Sequence, residues 1–389
     1  MKRFLVILFV FAAFKPSAQT PLATVPFELY GEHLFIKLSV NGSDELDFIF
    51  DTGDGLTVLS LDAAKRLNIM SDKKVKETSA GGSVTGYLVK HNDIKISGIE
   101  IHNVKIYEND LNHLERAIGR KIDGIIGYDL LHNFVVEIDY NSMELHVFDA
   151  SKFEYMGDGT PMKIKFRHAI PMVPGIAILG DGEMLMGNFY LETGAKTDLD
   201  FNTPYVKENE LKSKIGNSYT YLVSGISENE TLHTRGRINT FTIAGYTFKN
   251  LPVGLSEGNH GIQADSHVAG VVGNEILHRF NATFDYKHHK MWWSQNDKFK
   301  GQFFVNCSGI LLQLDKSLEK VLIHQVYDDS PALEAGLKVD DEIVAVDGKK
   351  GLTLVQIRDI LATDGKTVTL KINSGGESKD VKLELKALI

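Results

Sequence analysis

The chain has 389 residues, of which 43% are hydrophobic and 24% are charged, and its formal net charge at neutral pH is −9. This length indicates two or three domains, and the composition is that of a soluble globular protein rather than a disordered or fibrous one. The acidic balance argues against nucleic acid and anionic membrane surfaces as partners. Cys307 is the single cysteine of the sequence, which excludes an intramolecular disulfide.

The first 18 residues have the pattern of a secretory signal peptide. The basic pair Lys2-Arg3 precedes an apolar run over residues 4–14, and small residues up to Ala18 offer a cleavage site. Because the apolar run is too short to span a bilayer, we predict cleavage after Ala18 and export, either to the periplasm or as a secreted protein. The mature chain is then expected to have no transmembrane span. A retained N-terminal anchor is the alternative.

Residues 21–150 have the rhythm of a β-rich domain, which we name lobe 1. Short segments rich in β-branched and aromatic residues are separated by Asn-Gly, Gly-Gly and Ser-Gly turns, a pattern typical of strands. The predicted strands lie at residues 35–40, 45–50, 87–90, 99–107, 134–139 and 144–148, and the predicted short helices at residues 61–67 and 110–119.

An acidic triplet occurs twice along the chain, and each copy is followed by a similar apolar segment that ends in glycine. In lobe 1, Asp51-Thr52-Gly53 closes a predicted strand, and two branched apolar residues with a glycine, Ile125-Ile126-Gly127, come later. In residues 161–296, which we name lobe 2, Glu192-Thr193-Gly194 is followed in the same way by Val271-Val272-Gly273. An acid on a tight turn that is doubled in one chain is typical of a two-carboxylate hydrolase.

Longer segments repeat around these triplets. Residues 124–134 match residues 270–280, and residues 97–104 match residues 244–251. A period of about 145 residues is too long for a solenoid and fits two homologous lobes of ordinary domain size.

The sequence changes in character from about residue 300. Residues 330–348 combine a turn, a short helix and a strand, and they closely resemble the core signature of bacterial PDZ domains, which we place at residues 301–389. The resemblance implies that a helix over 353–361 flanks a peptide groove and that the backbone N–H groups of Gly309-Ile310-Leu311-Leu312 hold a terminal carboxylate. Such a groove accepts an extended peptide as an added strand, so peptide C-termini are predicted partners. A PDZ fold used only for packing or dimerisation is the alternative.

The doubled triplets, the apolar-apolar-glycine segments and the two-lobe repeat resemble the pepsin and retropepsin-like aspartic proteases. The resemblance implies a mainly β fold with two homologous retropepsin-like β-barrel lobes in a pepsin-like bilobal arrangement, followed here by the α+β PDZ domain. It places Asp51 and Glu192 at the two catalytic acid positions, one from each lobe, with a polypeptide as substrate. The residues expected to support this dyad are Thr52, Gly53, Thr193, Gly194, Gly127 and Gly273.

The residue types fit the chemistry of that family. Two neighbouring carboxylates share one proton because both cannot ionise cheaply. The ionised acid takes a proton from a bound water while the protonated acid polarises the peptide carbonyl. This reaction needs no cofactor and no metal, and we expect none. Threonine hydroxyls can bond across to the opposite loop, and glycine permits close approach of the backbone.

Proteases of this family cover the cleft with a mobile hairpin. Residues 78–86 lie in the expected interval after Asp51, with Gly81 and Gly82 at the predicted tip of such a flap. Closure would exclude water and orient the peptide. A plain surface hairpin is the alternative.

Two positions depart from the family pattern. Glu192 stands where aspartate is usual, and its extra methylene moves the carboxyl group by about 1.5 Å, although catalytic groups need placement within about 0.5 Å. Asp54 follows the first triplet, where small apolar residues or serine are usual. We expect its side chain to point to solvent, because a third acid facing inward would raise the pKa values of the dyad.

These features predict an exported aspartic endopeptidase whose PDZ domain binds the C-termini of substrates or partners. Because of Glu192, a catalytically lapsed aspartic-protease scaffold that acts as a peptide-binding module is the alternative. In a third arrangement two chains pair their first lobes so that Asp51 meets Asp51, which the presence of lobe 2 makes unnecessary. The sequence leaves the oligomeric state open.

Overall fold

The structure is a computed structural model that describes residues 19–71, 73–79 and 82–389. The predicted signal peptide at residues 1–18 and Gly81 of the predicted flap lie outside the described residues. No helix in the described part of the chain is long and apolar enough to cross a membrane.

Lobe 1 is built from short strands with three helices between them. Its elements are β1 (Ala23–Tyr30), β2 (His33–Val40), β3 (Leu46–Phe50), β4 (Thr57–Ser60), α1 (Leu61–Leu67), β5 (Lys74–Ser79), β6 (Gly82–Ile96), β7 (Ile99–Asn109), α2 (Asn112–Ile118), β8 (Gly124–Ile126), α3 (Tyr128–Asn133), β9 (Phe134–Asp139) and β10 (Glu144–Asp149). Helix α1 begins and ends at residues that the local sequence favours for these positions. The Ser60 side chain accepts a hydrogen bond from the Ala63 backbone N–H at its start, and Asn68 ends it in the left-handed conformation.

Lobe 2 follows the same plan. Its elements are β11 (Thr160–Lys163), β12 (Lys165–Arg167), β13 (Ile170–Ile178), β14 (Met184–Leu191), β15 (Leu199–Phe201), α4 (Thr203–Glu208), a 3-10 turn (Leu211–Ser213), β16 (Tyr219–Val223), β17 (Thr231–Ile243), β18 (Tyr246–Ser256), a 3-10 turn (Ile262–Ala264), β19 (Gly270–Val272), α5 (Asn274–Leu277), β20 (Phe280–Asp285) and β21 (Lys290–Gln295).

Both lobes close into barrels with the same strand order. In lobe 1 the ring runs β2-β3-β8-β4-β7-β6 and returns to β2, and in lobe 2 it runs β13-β14-β19-β15-β18-β17 and returns to β13. The repeat in the sequence is therefore also a repeat in topology, and the prediction of a mainly β, two-lobe fold is confirmed.

A shared sheet fastens the two lobes together. Strands β9 and β20 pair antiparallel, with Ile138 opposite Ala282, so that β10 and β1 of lobe 1 continue into β21 and β11 of lobe 2. One apolar cluster runs through both lobes, with buried Phe48, Phe189 and Trp293 among its members. Burial of this continuous core holds the lobes in one arrangement, with the acidic triplets facing each other across the junction.

The C-terminal domain has a separate core. Its elements are β22 (Ile310–Leu314), β23 (Val321–Val326), α6 (Pro331–Glu334), β24 (Glu342–Val346), β25 (Lys349–Lys350), α7 (Leu354–Leu361), β26 (Thr367–Ser374) and β27 (Glu377–Glu384). Helix α7 begins with a capping box between Thr353 and Gln356, and it buries Leu354, Ile357 and Leu361. Strand β22 forms one edge of the sheet and faces lobe 1.

Candidate active site

The two acids occupy equivalent places in the two barrels. Asp51 follows β3, which pairs parallel with β8, and its backbone N–H donates to the Ile126 carbonyl at 2.9 Å. Glu192 follows β14, which pairs parallel with β19, and its N–H donates to the Val272 carbonyl at 3.0 Å. The apolar-apolar-glycine segments thus hold the turns that carry the acids.

Reciprocal hydrogen bonds between threonines join the two acid turns. Thr52 Oγ1 donates to the Leu191 carbonyl at 2.7 Å, and Thr193 Oγ1 donates to the Phe50 carbonyl at 3.0 Å. Each hydroxyl also accepts from the other threonine's backbone N–H, at 3.0 and 3.1 Å. Both threonines are buried, so these four bonds are shielded from water and fix the turns against each other.

Glycine is required where each turn meets the opposite acid. A Cβ added at Gly53 would lie 2.5 Å from Glu192 Cγ, and a Cβ added at Gly194 would lie 2.2 Å from Asp51 Oδ2. Each carboxyl group therefore lies against the glycine of the other triplet, and any side chain at these glycines would displace the acids.

The supporting glycines lie below the turns. A Cβ at Gly127 would lie 1.8 Å from the Asp51 carbonyl, and one at Gly273 would lie 2.3 Å from the Thr197 carbonyl. Only glycine fits between these backbones.

Hydrogen bonding to the two acids is unequal. Asp51 Oδ1 accepts from the backbone N–H of Gly53 at 2.7 Å and from that of Gly194 at 3.0 Å. Glu192 is buried, and its Oε1 has no hydrogen-bond partner among the residues that the structure describes. Backbone donors thus stabilise charge on Asp51 and not on Glu192.

This difference separates the protonation of the two groups. Burial raises the pKa of Asp51, and the N–H groups of Gly53 and Gly194 oppose the rise. Burial raises the pKa of Glu192 well above its ordinary value, and the charges of Asp51, Asp200 and Asp54 raise it further. The surroundings of Glu192 thus favour its protonated form, whereas Asp51 has hydrogen-bond donors that favour its charged form.

Two further acids surround the dyad. Asp54 lines the same cavity as Asp51 and Glu192, and its Oδ2 atom is buried, so the expectation that its side chain points to solvent was wrong. Asp200, which the sequence reasoning missed, lines the cavity from β15, and Thr197 Oγ1 donates to it at 2.6 Å. The sequence signal that could have identified Asp200 is the presence of an acid within an otherwise apolar strand, Leu199-Asp200-Phe201.

The acids open into one large cavity of about 1360 Å³. Its wall is formed by lobe 1, by lobe 2 and by the C-terminal domain, which contributes Ile310, Leu312 and Arg358 among other side chains. A cavity of this size holds several residues of an extended peptide.

A hairpin occupies the interval predicted for the flap. Strands β5 and β6 pair antiparallel, with Thr78 opposite Ser83 and Ser79 opposite Gly82. Gly82 begins β6, whereas Gly81 is outside the described residues. Covering of the cleft by this hairpin stays a prediction.

The loop predicted to hold a carboxylate already has internal acceptors. The Gly309 N–H donates to Asn306 Oδ1 at 2.8 Å, and the Ile310 N–H donates to Ser308 Oγ at 3.4 Å. Leu311 and Leu312 continue into β22. The loop is formed, but these two N–H groups are turned towards the domain's own side chains.

The outer edge of β22 is occupied by arginines. Arg358 donates to the carbonyl of Leu312 at 2.6 Å and to that of Ala117, at the end of α2, at 2.8 Å. Arg116 of α2 donates to the carbonyl of Leu314 at 3.0 Å. In this arrangement lobe 1 covers the strand edge to which an added peptide strand would pair.

Comparison with known proteins identifies two parts of the chain. Residues 36–130 match the family described as aspartyl protease, and residues 322–374 match the family described as PDZ domain. The chain contains an aspartyl protease domain and a PDZ domain. The prediction of an aspartyl protease domain followed by a PDZ domain is thereby confirmed, with the aspartyl protease match lying in lobe 1.

The chain also resembles individual proteins over part of its length. Proteins named "Probable CtpA-like serine protease" from Staphylococcus aureus strain COL and Staphylococcus haemolyticus strain JCSC1435 are 32% identical over 94 residues, which is 23% of this chain. The match spans only 18% of the length of each of these relatives. A solved structure, the aspartic proteinase from Irpex lacteus, is 14% identical with a TM-score of 0.45, covering 72% of this chain and 98% of its own.

Thr193→Val is expected to loosen the acid turns. Valine keeps the shape but removes the hydroxyl that bonds the Phe50 carbonyl and the Thr52 N–H. Leaving a buried donor or acceptor unpaired costs about 1–3 kcal/mol, and two groups lose their partner here, so the free energy of unfolding should fall by about 2–6 kcal/mol. Denaturant unfolding measures the loss. Thr193→Ser keeps the hydroxyl and is the matched control, and equal stability of the two variants would contradict the role given to these bonds.

Proposed function

We propose that the protein is an exported aspartic endopeptidase that hydrolyses polypeptides with Asp51 as base and Glu192 as acid. The observation that carries this proposal is the pair of opposed triplets, tied by the Thr52–Thr193 hydrogen bonds, in which the backbone donors go to one acid only. Unequal environments of two neighbouring carboxyl groups are what an acid–base pair needs.

The proposed reaction proceeds through proton transfers between these two groups. Asp51 takes a proton from a water molecule while the water oxygen bonds to the carbonyl carbon, and Glu192 gives its proton to the carbonyl oxygen. Asp51 then passes its proton to the amide nitrogen as the C–N bond breaks. A hydroxyl proton of the diol returns to Glu192, so both acids end as they began.

Hydrolysis measured across pH tests the proposal and is expected to give a bell-shaped profile. Activity requires ionised Asp51 and protonated Glu192, and the pKa of each lies above its ordinary value. Activity should therefore be lost as the pH falls through the pKa of Asp51 and lost again as it rises through that of Glu192. Because the pKa of Glu192 is raised so far, the alkaline limb should lie well above pH 4.5.

The assay would use unfolded protein and a mixed peptide library from about pH 3 to pH 8, with and without an aspartic-protease inhibitor. Cleavage that persists unchanged in the inhibitor at every pH would contradict an aspartic mechanism.

The second candidate function is peptide binding without turnover. It is favoured by Glu192 Oε1, which lies buried without a partner among the described residues and so lacks the support that Asp51 receives. Calorimetric titration with C-terminal peptides separates the two functions: tight binding with no product at any pH supports the lapsed scaffold.

The PDZ domain completes the proposal as the part that binds substrate or partner C-termini. Because lobe 1 covers the β22 edge, addition of a peptide strand there would require α2 to move away.

Pairing of Asp51 with Glu192 inside one chain also leaves no need for an Asp51–Asp51 dimer.

A further inference from the structure

Lys196 and Arg358 are among the cationic side chains of the cavity wall that have no carboxylate partner in the described part of the chain. Lys196 lies four residues after Glu192 and lines the cavity. Arg358 lines the same cavity from α7 of the PDZ domain. Among the described residues, no carboxylate oxygen lies within 4.0 Å of either cationic group. Cationic groups without a carboxylate beside them offer charge-assisted hydrogen bonds to an anionic ligand that enters the cavity.

The contacts of Lys196 leave its ammonium group available. Its Nζ lies 5.5 Å from the ring centroid of Phe304, and its side chain is open to the cavity while protein surrounds it. Burial, and then the charge of Arg358, lower the pKa of Lys196 to about 8, although Glu275 and Glu32 oppose this. An anion placed beside Lys196 would remove the repulsion from Arg358.

Arg358 is held in place by neutral groups. Its guanidinium donates to the carbonyls of Leu312 and Ala117, which fixes its position between β22 and α2 without neutralising its charge. Burial lowers the pKa of Arg358 to about 10. The group is therefore pre-positioned, and its charge remains to be balanced.

Apolar side chains of the PDZ domain lie in the same part of the cavity. Ile310, Leu312 and Leu361 contribute to the wall beside Arg358. Because the β22 edge is covered by lobe 1, a peptide reaches these side chains from the catalytic side and not along the strand. The cavity thus brings an apolar surface, two cations and the two acids together in one space.

We infer that Lys196 and Arg358 form a carboxylate-binding site in the cavity wall. The site deepens the proposed function by naming the substrate class, which is peptides with a carboxylate a short way beyond the scissile bond. The carboxylate of a free C-terminus and that of an acidic side chain share this chemistry. Cleavage is then directed to bonds near chain ends or near acidic residues.

Binding to the inactive Asp51→Asn protein tests this site separately from turnover. Three fluorescent peptides of one sequence are compared by anisotropy: one with a free C-terminus, one with an amidated C-terminus, and one amidated with glutamate as its last residue. Charge-assisted hydrogen bonds are strong enough that the free acid should bind about tenfold or more tightly than the amide. Equal binding of the free and amidated peptides, with the glutamate peptide no tighter, would overturn the site.

Variants connect the preference to the named residue. Lys196→Gln should bring the ratio of the free-acid to the amide dissociation constant close to one while leaving affinity for the amide unchanged. Lys196→Arg should keep the preference, and Lys207→Gln, on an exposed part of α4, is the matched control. A preference that survives Lys196→Gln would contradict the assignment. Tighter binding of the glutamate peptide than of the amide supports the site and identifies an acidic side chain as a source of its ligand.

The two proposals fail in different ways. If wild-type protein cleaves none of these peptides but Asp51→Asn shows a free-acid preference that Lys196→Gln removes, the hydrolytic function fails and the carboxylate site stands. If cleavage occurs without any carboxylate preference, the site fails and the hydrolytic function stands.

Discussion

Asp51→Asn is expected to lower kcat for peptide hydrolysis by about 10²- to 10⁴-fold, which is the range that a positioned acid or base contributes. Asparagine keeps the Oδ1 oxygen that accepts from the N–H groups of Gly53 and Gly194, so the turn should stay in place. What is lost is the ability to take a proton from water. Peptide affinity and stability should change little, and activity should collapse.

Steady-state hydrolysis and peptide binding are measured on the same preparation to separate these effects. Asp54→Asn is the matched control, because Asp54 lines the cavity without belonging to a triplet. The Asp54 charge helps to raise the pKa of Glu192, so this control should shift the alkaline limb to lower pH and lose less than about tenfold at the optimum. Wild-type activity in Asp51→Asn would end the proposal of an aspartic mechanism.

The features that could be predicted from the sequence are those that short segments determine. A strand that ends in an acid, threonine and glycine forms the same turn in both lobes, and an apolar-apolar-glycine segment pairs beside it in both. The helix over Leu61–Leu67 was predicted with its observed bounds because its cap residues are local. Repetition strengthened each of these signals.

The features that were missed depend on contacts between distant segments. The loop after Asp51 is fixed by the Tyr128 N–H, which donates to the Asp54 carbonyl at 3.1 Å from far along the chain. No local pattern reveals such a contact, and the direction of Asp54 was predicted wrongly. The covering of β22 by Arg116 and Arg358 is likewise a contact between domains, which the spacing of residues within either domain does not encode.

Glu192→Gln is expected to lower kcat by an amount similar to that of Asp51→Asn, because glutamine has no proton to give the carbonyl oxygen. Glu192→Asp keeps the acid but withdraws the carboxyl group from its position against Gly53. A misplacement of about 1 Å can cost about 10²-fold, so this variant should be slower than wild type and faster than Glu192→Gln. If Glu192→Asp is instead faster than wild type, glutamate at this position impairs catalysis, and the result supports the alternative of a catalytically lapsed scaffold.

Glu192→Gln is also expected to stabilise the protein at neutral pH. Because the folded-state pKa of Glu192 is raised, the folded protein holds a proton that the unfolded chain releases once the pH exceeds the ordinary value of 4.5. The contribution of Glu192 to the wild-type free energy of unfolding therefore falls as the pH rises from that value through the folded-state pKa, whereas glutamine titrates nowhere in this range. Unfolding free energies of the two proteins should agree near pH 4 and differ by about 1–2 kcal/mol at pH 7 in favour of the variant, which is the usual size of a stability gain at a functional site. A difference that does not change with pH would mean that Glu192 is not the group that holds the proton, and the roles assigned to the two acids would have to be reversed.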